Sequence, residues 1–227
     1  MTVLYVDTEH EQVLEDPAQA DQHRARLELA RRRLESAANQ RCVVTRALDL
    51  DIDRVREAGA TAIVLSGSTT DWSDYHFYAL GGLLDIIRLA PVPILGICAG
   101  HQLIGYAHGA RWGPLGPLNN DEPDPDPSFA EGQRKERGYT SVDLDLGCPL
   151  FEGLATQATF FQSHYWQLEE VPSGFSTRAH TPRSPIQAIE RVDRIVFGVQ
   201  FHPERYNARH IAGQRLLCNF FGLARSR

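Results

Sequence analysis

A cysteine in a glycine-rich turn is the first residue of this sequence whose setting suggests chemistry. Cys98 lies in the segment Gly-Ile-Cys-Ala-Gly at residues 96–100, directly after the apolar run 94–97. A buried strand that ends in Gly-x-Cys-x-Gly and continues at once into a helix is typical of a nucleophile elbow, with sulfur in place of a hydroxyl. The glycines allow the tight turn, and the amino end of the helix favours thiolate over thiol. Cys98 is therefore predicted to be a nucleophile.

A segment about a hundred residues later can activate that cysteine. An unperturbed cysteine is only a few per cent thiolate at neutral pH, so a base is expected. In Gly-Val-Gln-Phe-His-Pro-Glu at residues 198–204, His202 follows a predicted strand, and Glu204 is placed to accept a hydrogen bond from the imidazole Nδ1. We expect a catalytic triad in which His202 moves the proton of Cys98 and Glu204 orients His202.

The other cysteines have no such setting. Cys42, Cys148 and Cys218 are far apart and form no Cys-x-x-Cys pair, so neither a disulfide framework nor a zinc site is predicted. Buried thiols in a reducing compartment are the ordinary interpretation. His101 and His108 lie two helical turns apart, too far to share a metal ion. The sequence predicts no metal and no cofactor.

The elements that must position these residues alternate between strand and helix. Apolar runs predict strands at residues 2–7, 42–45, 62–66 and 94–97, and periodic segments predict helices at 19–38, 51–58 and about 75–89. This is the α/β pattern of a doubly wound, mostly parallel sheet with helices on both faces. Right-handed crossovers place the carboxyl ends of the strands on one edge, where ligands bind.

After residue 112 the pattern changes. Residues 113–137 contain glycine and proline breaks and the acidic run 119–127, which predict a mobile surface loop. Alternating runs at 140–146, 159–161, 187–189 and 195–200 predict a small antiparallel extension of the sheet, and residues 211–223 predict a last helix. We expect residues 1–227 to form a single domain.

The composition excludes several classes of protein. With 42% hydrophobic and 23% charged residues, the chain is neither wholly disordered nor fibrous. It has no apolar run long enough to cross a membrane and no signal peptide at its start, so we predict no membrane contact and a cytoplasmic location. The net charge of −6 argues against a nucleic-acid partner.

Together the two motifs resemble the class I glutamine amidotransferases. The likeness includes Ser66-Gly67 and Ser163-His164, and the segment Lys-Glu-Arg-Gly-Tyr-Thr at 135–140 is most similar to the glutaminase part of GMP synthetase. The elbow segment 100–102, Gly-His-Gln, is closer to anthranilate synthase glutaminases. The resemblance implies a flavodoxin-like amidotransferase fold. It also implies that Cys98 attacks the side-chain amide of glutamine, forms a γ-glutamyl thioester and releases ammonia.

The resemblance also implies roles for residues around the cysteine. The backbone N–H groups of Ser68 and Ala99 would form the oxyanion hole. Gln102 resembles the residue that holds the amino-acid end of the substrate, helped by the backbone of Ser163 and His164. The predicted substrate-binding residues are Gly67, Gln102, Ser163, His164 and Tyr165.

Two departures from the family pattern bear on these roles. Family members commonly have Gly-Gly-Pro where this chain has Gly67-Ser68-Thr69. Serine resists a positive φ, so we expect the second half of the oxyanion hole to form only conditionally. The GMP synthetase branch usually has Gly-Asp after Ser-His, with the Asp helping to bind the amino group of the substrate, where this chain has Tyr165-Trp166.

These residues support three hypotheses. The first is a glutaminase whose ammonia is consumed by a separate synthase subunit, which would be its partner. The second is a γ-glutamyl hydrolase or transferase that acts on a γ-glutamyl amide, peptide or biosynthetic conjugate. The third is a catalytically silent regulatory protein, against which the complete triad argues.

Overall fold

Within residues 2–226, which the computed structural model describes, eleven strands form one large sheet and one two-stranded sheet. The strands are β1 (Thr2–Asp7), β2 (Arg41–Arg46), β3 (Ala60–Leu65), β4 (Ile94–Ile97), β5 (Trp112–Pro114), β6 (Glu136–Leu144), β7 (Gln157–His164), β8 (Trp166–Leu168), β9 (Phe175–His180), β10 (Ala188–Arg191) and β11 (Val196–Val199). The large sheet has the order β2-β1-β3-β4-β11-β10-β9-β6-β7, and β5 pairs with β8.

Five strands of the large sheet, β2, β1, β3, β4 and β11, are parallel neighbours. Their apolar runs are the kind of sequence that a strand covered on both faces requires. Ile63, Val64, Ile94 and Leu95 have no exposed surface. The predicted parallel sheet is therefore confirmed, and β4 and β11 lie in the middle of the whole nine-stranded sheet. The run 195–200, predicted as part of the antiparallel extension, instead forms β11, which is parallel to β4 because it completes the parallel half.

The antiparallel extension is larger than the sequence predicts. β10, β9, β6 and β7 continue the sheet beyond β11, and each is antiparallel to its neighbour. β9 is missed by the sequence pattern because only Ala179 among its residues is buried, so no apolar alternation marks it. β6 begins at Glu136, inside the segment predicted as a loop.

Helices cover both faces of the sheet, as predicted. They are α1 (Glu11–Glu15), α2 (Pro17–Ala38), α3 (Ile52–Glu57), α4 (Gly81–Leu89), α5 (Ala99–Ala107) and α6 (Ala212–Arg225). Alternate residues of a strand point to opposite faces. Val3 and Tyr5 therefore join the buried cluster under α2 and α6, whereas Leu4 and Val6 join the cluster under α4 and α5. None of the helices in residues 2–226 combines the length and apolarity needed to cross a membrane.

The helix predicted at 75–89 forms only in its second half. Residues Trp72–Asp74 and Phe77–Leu80 are short 3-10 turns, and α4 begins at Gly81. A Cβ at Gly82 would lie 2.7 Å from the backbone oxygen of Leu50, so this glycine allows α4 to pack closely on the segment before α3. The two glycines begin the helix rather than interrupt it.

Candidate active site

The candidate site is built where four parallel strands end at the same edge of the sheet. Glu9 follows β1, Gly67 follows β3, Cys98 follows β4, and His202 follows β11. Open α/β sheets bind their ligands at this edge. The fold therefore brings together residues that are far apart in the sequence.

Cys98 lies in a strained turn between β4 and α5. Its φ of 52° and ψ of −106° are a left-handed conformation, which costs a residue with a side chain roughly 1–3 kcal/mol. Hydrogen bonds hold the turn on both sides. Cys98 N–H donates to Val199 O at 2.8 Å, and Gly100 N–H donates to Ser66 O at 3.0 Å. The turn has the form of the predicted elbow, with the thiol at the N-terminus of α5.

His202 faces Cys98 across Gly67. A Cβ at Gly67 would lie 2.9 Å from His202 Cε1 and 3.4 Å from Cys98 Cβ, so glycine leaves the space that both side chains border. His202 N–H donates to Phe161 O at 2.8 Å, which ties the residue to β7. The imidazole Nδ1 lies 2.7 Å from Glu204 Oε1, so the carboxylate fixes the orientation of the ring.

The charges around His202 favour its protonated form. Burial of the ring lowers the pKa of His202, but the negative charges of Glu204 and Cys98 and the hydrogen bonds to them raise it to about 10. At neutral pH this environment favours the imidazolium form of His202. A thiolate is the nucleophilic form of cysteine.

A chain of side-chain hydrogen bonds, which sequence reasoning missed, ends at the sulfur. Gln200 Nε2 donates to Cys98 Sγ at 3.7 Å, and Gln102 Nε2 donates to Gln200 Oε1 at 3.0 Å. Trp72 Nε1 donates to Gln102 Oε1 at 2.5 Å. Gln102 Nε2 also donates to Trp166 O at 2.9 Å. The amide of Gln102 is therefore bound to protein groups, and the chain directs an N–H donor at the sulfur.

A carboxylate from another strand holds the loop that carries the predicted oxyanion donor Ser68. Glu9 Oε1 accepts a hydrogen bond from Ser68 Oγ, and Glu9 Oε2 accepts from the N–H and from the Oγ1 of Thr69, each at 2.8 Å. Burial raises the pKa of Glu9, but these hydrogen bonds outweigh it and lower the pKa below its usual value. Glu9 is therefore charged at neutral pH.

Within the described residues, the two predicted oxyanion donors are free of hydrogen-bond partners. Within residues 2–226, no hydrogen bond is made by the backbone N–H of Ser68 or of Ala99. Ser68 is not among the residues of this range with a positive φ. The loop therefore places a serine in an ordinary backbone conformation here, and the conditional formation of the hole stays a prediction.

A small cavity lies beside Cys98. Its volume is about 30 Å³, close to that of one water molecule. The rings of Trp72, Phe129 and Trp166 form part of its wall, so a ligand the size of glutamine requires one of them to move. The predicted site residues in its lining are Ser68, Cys98, Ala99, Gln102, Ser163, His164 and Tyr165.

The segment that begins at Ser163 approaches the sulfur through its backbone. Ser163 O lies 4.0 Å from Cys98 Sγ. The ring of His164 is buried and turned to other groups, with Nε2 2.9 Å from Glu136 Oε2 and Nδ1 2.9 Å from Trp166 O. Of these two predicted residues, Ser163 is therefore the one that reaches Cys98 directly.

Asp71 is a charged residue of the site that sequence reasoning missed. Tyr165 OH donates to Asp71 Oδ2 at 2.6 Å, and Trp166 Nε1 donates to the same oxygen at 3.3 Å. Burial raises the pKa of Asp71, but hydrogen bonds from Ser73, Tyr165 and Trp166 lower it below its usual value. The carboxylate of Asp71 is thus hydrogen-bonded to Tyr165 and Trp166, which stand where Gly-Asp is expected. No local motif marks it, because its partners come from a distant strand.

Residues 113–137 fold around the only lysine of the chain. The side chain of Lys135 has no exposed surface, and its Nζ lies 2.7 Å from Asp124 Oδ1 and also binds the backbone oxygen of Phe129. The Arg137 guanidinium stacks on the Phe129 ring at 4.6 Å. These contacts hold Phe129 at the wall of the small cavity. The mobility of the loop stays a prediction.

A larger cleft, of about 550 Å³, borders His202. Gly67, His202 and Glu204 belong to its lining. It shares Ser68, Thr69, Phe129 and Ser163 with the small cavity, so the two spaces adjoin next to Cys98. Within residues 2–226, no three His, Cys, Asp or Glu side chains are grouped so that they could hold a metal ion.

Comparison with known proteins shows which family this chain is similar to. The model of the family described as glutamine amidotransferase class-I matches residues 27–222. The GMP synthase (glutamine-hydrolyzing) of Clostridium acetobutylicum is 31% identical over 176 residues, which are 74% of this chain and 29% of that protein. The corresponding enzyme of Thermobifida fusca is 33% identical over 160 residues, 70% of this chain and 26% of that protein. The chain therefore spans less than a third of the length of these relatives.

Solved structures with the same fold cover nearly the whole chain. A candidate GMP synthase subunit from Thermoplasma acidophilum has a TM-score of 0.72 and 22% identity, and the match covers 100% of this chain and 94% of that one. A glutamine amidotransferase from Thermotoga maritima has a TM-score of 0.59 and 16% identity, and the match covers 89% of this chain and 76% of that one. These likenesses establish the fold.

Proposed function

The chain belongs to the class I glutamine amidotransferase family, and from this premise we propose that it hydrolyses the side-chain amide of glutamine with Cys98 as the nucleophile. One observation carries the proposal. Cys98 stands in a strained strand-to-helix turn and faces His202 across Gly67, and Glu204 Oε1 lies 2.7 Å from the imidazole Nδ1. A nucleophile, a base and an orienting carboxylate in this order are the parts that acyl transfer requires.

In the first half of the reaction, the thiolate of Cys98 attacks the amide carbon and forms a tetrahedral oxyanion. The imidazolium of His202 then gives its proton to the nitrogen, the carbon–nitrogen bond breaks, and ammonia leaves. A γ-glutamyl thioester remains on Cys98. The raised pKa of His202, about 10, supports a thiolate and imidazolium pair as the starting state.

In the second half, His202 accepts a proton from water while the water oxygen attacks the thioester. The carbon–sulfur bond breaks, glutamate leaves, and the thiolate and imidazolium pair is restored. Glu204 stabilises the imidazolium in both halves, since it remains bound to Nδ1.

The oxyanion of each tetrahedral intermediate needs donors that already point at it. We assign this role to the N–H groups of Ala99 and Ser68. Each such donor contributes on the order of 3 kcal/mol to the stability of a transition state. The hydrogen bonds from Glu9 to the loop of Ser68 and Thr69 support this assignment, because they hold the loop in place.

We assign recognition of the substrate to the small cavity. The ammonium group of glutamine needs a carboxylate partner, and Asp71 lies next to the cavity, bound to Tyr165 and Trp166. The backbone of Ser163 and the turn at Gly67 would contact the amide end. His164 and Gln102 would then act from behind the cavity wall, because their side chains bind protein groups.

A separate synthase is the proposed partner, because free ammonia would be protonated and lost in bulk water. The relatives named GMP synthase extend well beyond the region that they share with this chain. We propose that residues 1–227 form one domain, that residues 113–137 act as a lid over the nucleophile, and that the protein works in the cytoplasm.

A second candidate function keeps the chemistry and changes the substrate. Tyr165-Trp166 replaces Gly-Asp, and the cleft of about 550 Å³ next to His202 is far larger than ammonia needs. These observations favour a γ-glutamyl amide, peptide or conjugate, in which an amine larger than ammonia would leave.

Glutamine hydrolysis by the purified chain tests the proposal. We expect release of ammonia and glutamate in equal amounts, covalent labelling of Cys98 by an electrophilic glutamine analogue, and loss of both in Cys98→Ala. Cys218→Ala is the matched control, since Cys218 is exposed and lies on α6. Glutamine hydrolysis or analogue labelling that persists in Cys98→Ala would contradict the proposal.

A further inference from the structure

The cleft next to His202 is lined by four arginines and is called the arginine cleft below. One of them, Arg137, is paired with Asp126. The other three are Arg26, Arg33 and Arg205. Arg26 and Arg33 come from α2, and Arg205 comes from the turn directly after the proposed base. The whole chain carries a net charge of −6, so a concentration of positive charge at this place is not a consequence of composition. The arginine cleft lies at one end of the proposed reaction centre.

In the part of the chain that the structure describes, Arg26, Arg33 and Arg205 have no carboxylate partner, unlike Arg137. Among the ion pairs within residues 2–226, none includes Arg26, Arg33 or Arg205, although many other arginines of α2 and of the surface are paired. Within the same residues, the guanidinium groups of Arg26 and Arg205 also make no hydrogen bond. Arg33 donates to the backbone oxygen of Glu204 at 2.5 Å and stacks on the Tyr206 ring at 4.4 Å.

The carboxylates in the lining of the cleft are hydrogen-bonded to other groups. Glu204 is bound to His202, and Glu9 is bound to the loop of Ser68 and Thr69. Both are at most 9% exposed as side chains. The positive groups therefore face the open space of the cleft, while the negative groups are turned into the protein.

Crowding of like charges gives independent support. The Arg205 guanidinium stacks on the Phe161 ring at 3.6 Å, which removes part of it from water. This loss of solvent lowers the pKa of Arg205, the negative charge of Glu204 raises it, and the positive charges of Arg137 and Arg26 lower it, so that the pKa lies below its ordinary value. An anion between these groups would relieve the repulsion that they impose on one another.

The shape of the cleft suits a small molecule. Its volume of about 550 Å³ lies in the range of ligand pockets, and its floor includes the buried residues Tyr5, Ala30 and Ser66. Tyr139, Tyr206 and Asn207 add aromatic and polar surface to the wall. The cleft meets the small cavity at Ser68 and Ser163, where the bond that breaks would lie.

We propose that the arginine cleft binds a small anion that carries a carboxylate or phosphate group, held by the guanidinium groups of Arg26 and Arg205 next to the proposed base. Guanidinium forks bind both groups through paired, charge-assisted hydrogen bonds. The anion has two sources: the amine half of a γ-glutamyl substrate, or a free anion that binds beside glutamine. The first source rests on the proposed chemistry at Cys98, and the second does not.

Two chromogenic substrates distinguish the sources. They are γ-glutamyl para-nitroanilide and the same compound with a carboxylate on its ring. If the anion belongs to the leaving amine, we expect the wild type to prefer the carboxylated compound by about tenfold in kcat/KM, because charge-assisted hydrogen bonds are the strong ones. The preference should fall to about one in the double variant Arg26→Gln, Arg205→Gln. In Arg24→Gln it should persist, since Arg24 lies on α2 and pairs with Asp21 outside the cleft.

Binding of a free anion to the arginine cleft can be measured directly. Calorimetric titration of the wild type and of Cys98→Ala with inorganic phosphate and with benzoate should show binding that weakens at least tenfold in the double variant and not in Arg24→Gln. If the free anion is the ligand, phosphate or benzoate should also change the rate of glutamine hydrolysis while the two anilides react equally.

The proposal is overturned if the anilides react equally and neither anion binds in a way that depends on Arg26 and Arg205. Because the titration needs no turnover, arginine-dependent binding would support the cleft even if glutamine is not hydrolysed. The cleft and the proposed glutaminase activity can therefore fail separately.

Discussion

At the scale of single residues, the site is organised around the charge of one imidazole. Glu204 and Cys98 lie on either side of His202, and together they outweigh the burial that would otherwise keep the ring neutral. Gln200 adds an N–H donor at 3.7 Å from the sulfur. The arrangement stabilises the imidazolium form of His202 inside the protein.

Removal of the Glu204 carboxylate should destabilise the imidazolium form of His202. We expect Glu204→Gln to lower the pKa of His202 and to reduce kcat for glutamine hydrolysis by about a hundredfold or more, since the amide cannot stabilise the imidazolium. NMR titration of the His202 ring and a glutamate-release assay measure the two effects. Glu15→Gln, at an exposed position of α1, is the control. An unchanged pKa of His202 would refute this account of the charges.

The raised pKa of His202 also predicts how stability depends on pH. In the unfolded chain the ring titrates near 6.5, and in the folded protein it titrates at about 10. Because the folded protein binds this proton more tightly than the unfolded chain, protonation of His202 stabilises the fold. The full contribution is present below pH 6.5 and is lost as pH rises from 6.5 to about 10. The unfolding free energy of the wild type relative to His202→Gln should therefore fall across that window. Denaturant titrations at several pH values measure it, with His76→Gln as a second histidine replacement. A difference that rises with pH would have the wrong sign.

Residues in short motifs could be identified from the sequence, and residues fixed by tertiary contacts could not. Cys98 is marked by the two glycines that its turn requires, and His202 by the proline and glutamate that follow it. Glu9 and Asp71 lie in no motif. Each is a carboxylate that becomes part of the site only because the sheet brings the loop after β3, or the segment after β7, next to it.

At the scale of elements, the position of the nucleophile depends on close packing between β4, α5 and β3. A Cβ at Gly96 would lie 2.4 Å from Gly100 O, and a Cβ at Gly100 would lie 2.7 Å from Leu65 O. Both contacts are with backbone, which cannot turn away as a side chain can. The glycines of the elbow therefore serve helix-to-strand packing as well as the turn itself.

Gly96→Ala should destabilise the protein by about 3 kcal/mol, because the added methyl group must displace backbone of α5. Gly81→Ala is the matched control. Gly81 lies in α4 with a φ of −51°, and a Cβ there would meet no atom within 4 Å. Alanine at that position should stabilise the protein by about 0.5–1 kcal/mol. Chemical denaturation measures both, and equal effects of the two substitutions would contradict the packing argument.

The loop at 113–137 should control access to the cysteine. Phe129→Ala removes one ring from the wall of a cavity of about 30 Å³, so we expect Cys98 to react several times faster with iodoacetamide. Peptide mass spectrometry measures the labelling rates of Cys98 and Cys218 separately. Cys218, exposed on α6, is an internal control whose rate should not change. Equal rates for Cys98 in the two proteins would show that Phe129 does not limit access.

The two halves of the sheet differ in how far sequence could predict them. Parallel strands such as β3 and β4 are buried on both faces, so each is a continuous apolar run. β9 has only Ala179 buried and carries no such signature. The start of α4 is set by a close approach to Leu50, which is a property of the packed molecule and not of its local pattern.

At the scale of the whole molecule, the parallel half of the sheet supplies the proposed nucleophile, the proposed base and the proposed oxyanion loop. The antiparallel half supplies Ser163, which reaches the sulfur, and Phe161, which anchors His202. The proposed reaction centre therefore lies at the junction between the two halves. The small cavity and the arginine cleft meet there, so a substrate would contact both parts of the sheet.

This junction leads to a prediction about activity in the presence of a partner. The small cavity has room for about one water, and the proposed lid holds Phe129 against it, so the isolated chain should hydrolyse glutamine slowly. A synthase that binds next to the cleft and displaces residues 113–137 should raise kcat/KM for glutamine by at least tenfold. The measurement is glutamate release with and without a synthase encoded in the same genome. In Phe129→Ala the isolated chain should already be faster, and the stimulation by the partner should be smaller. Full activity of the isolated wild type, with no increase in Phe129→Ala, would show that the closed cavity does not restrain the enzyme.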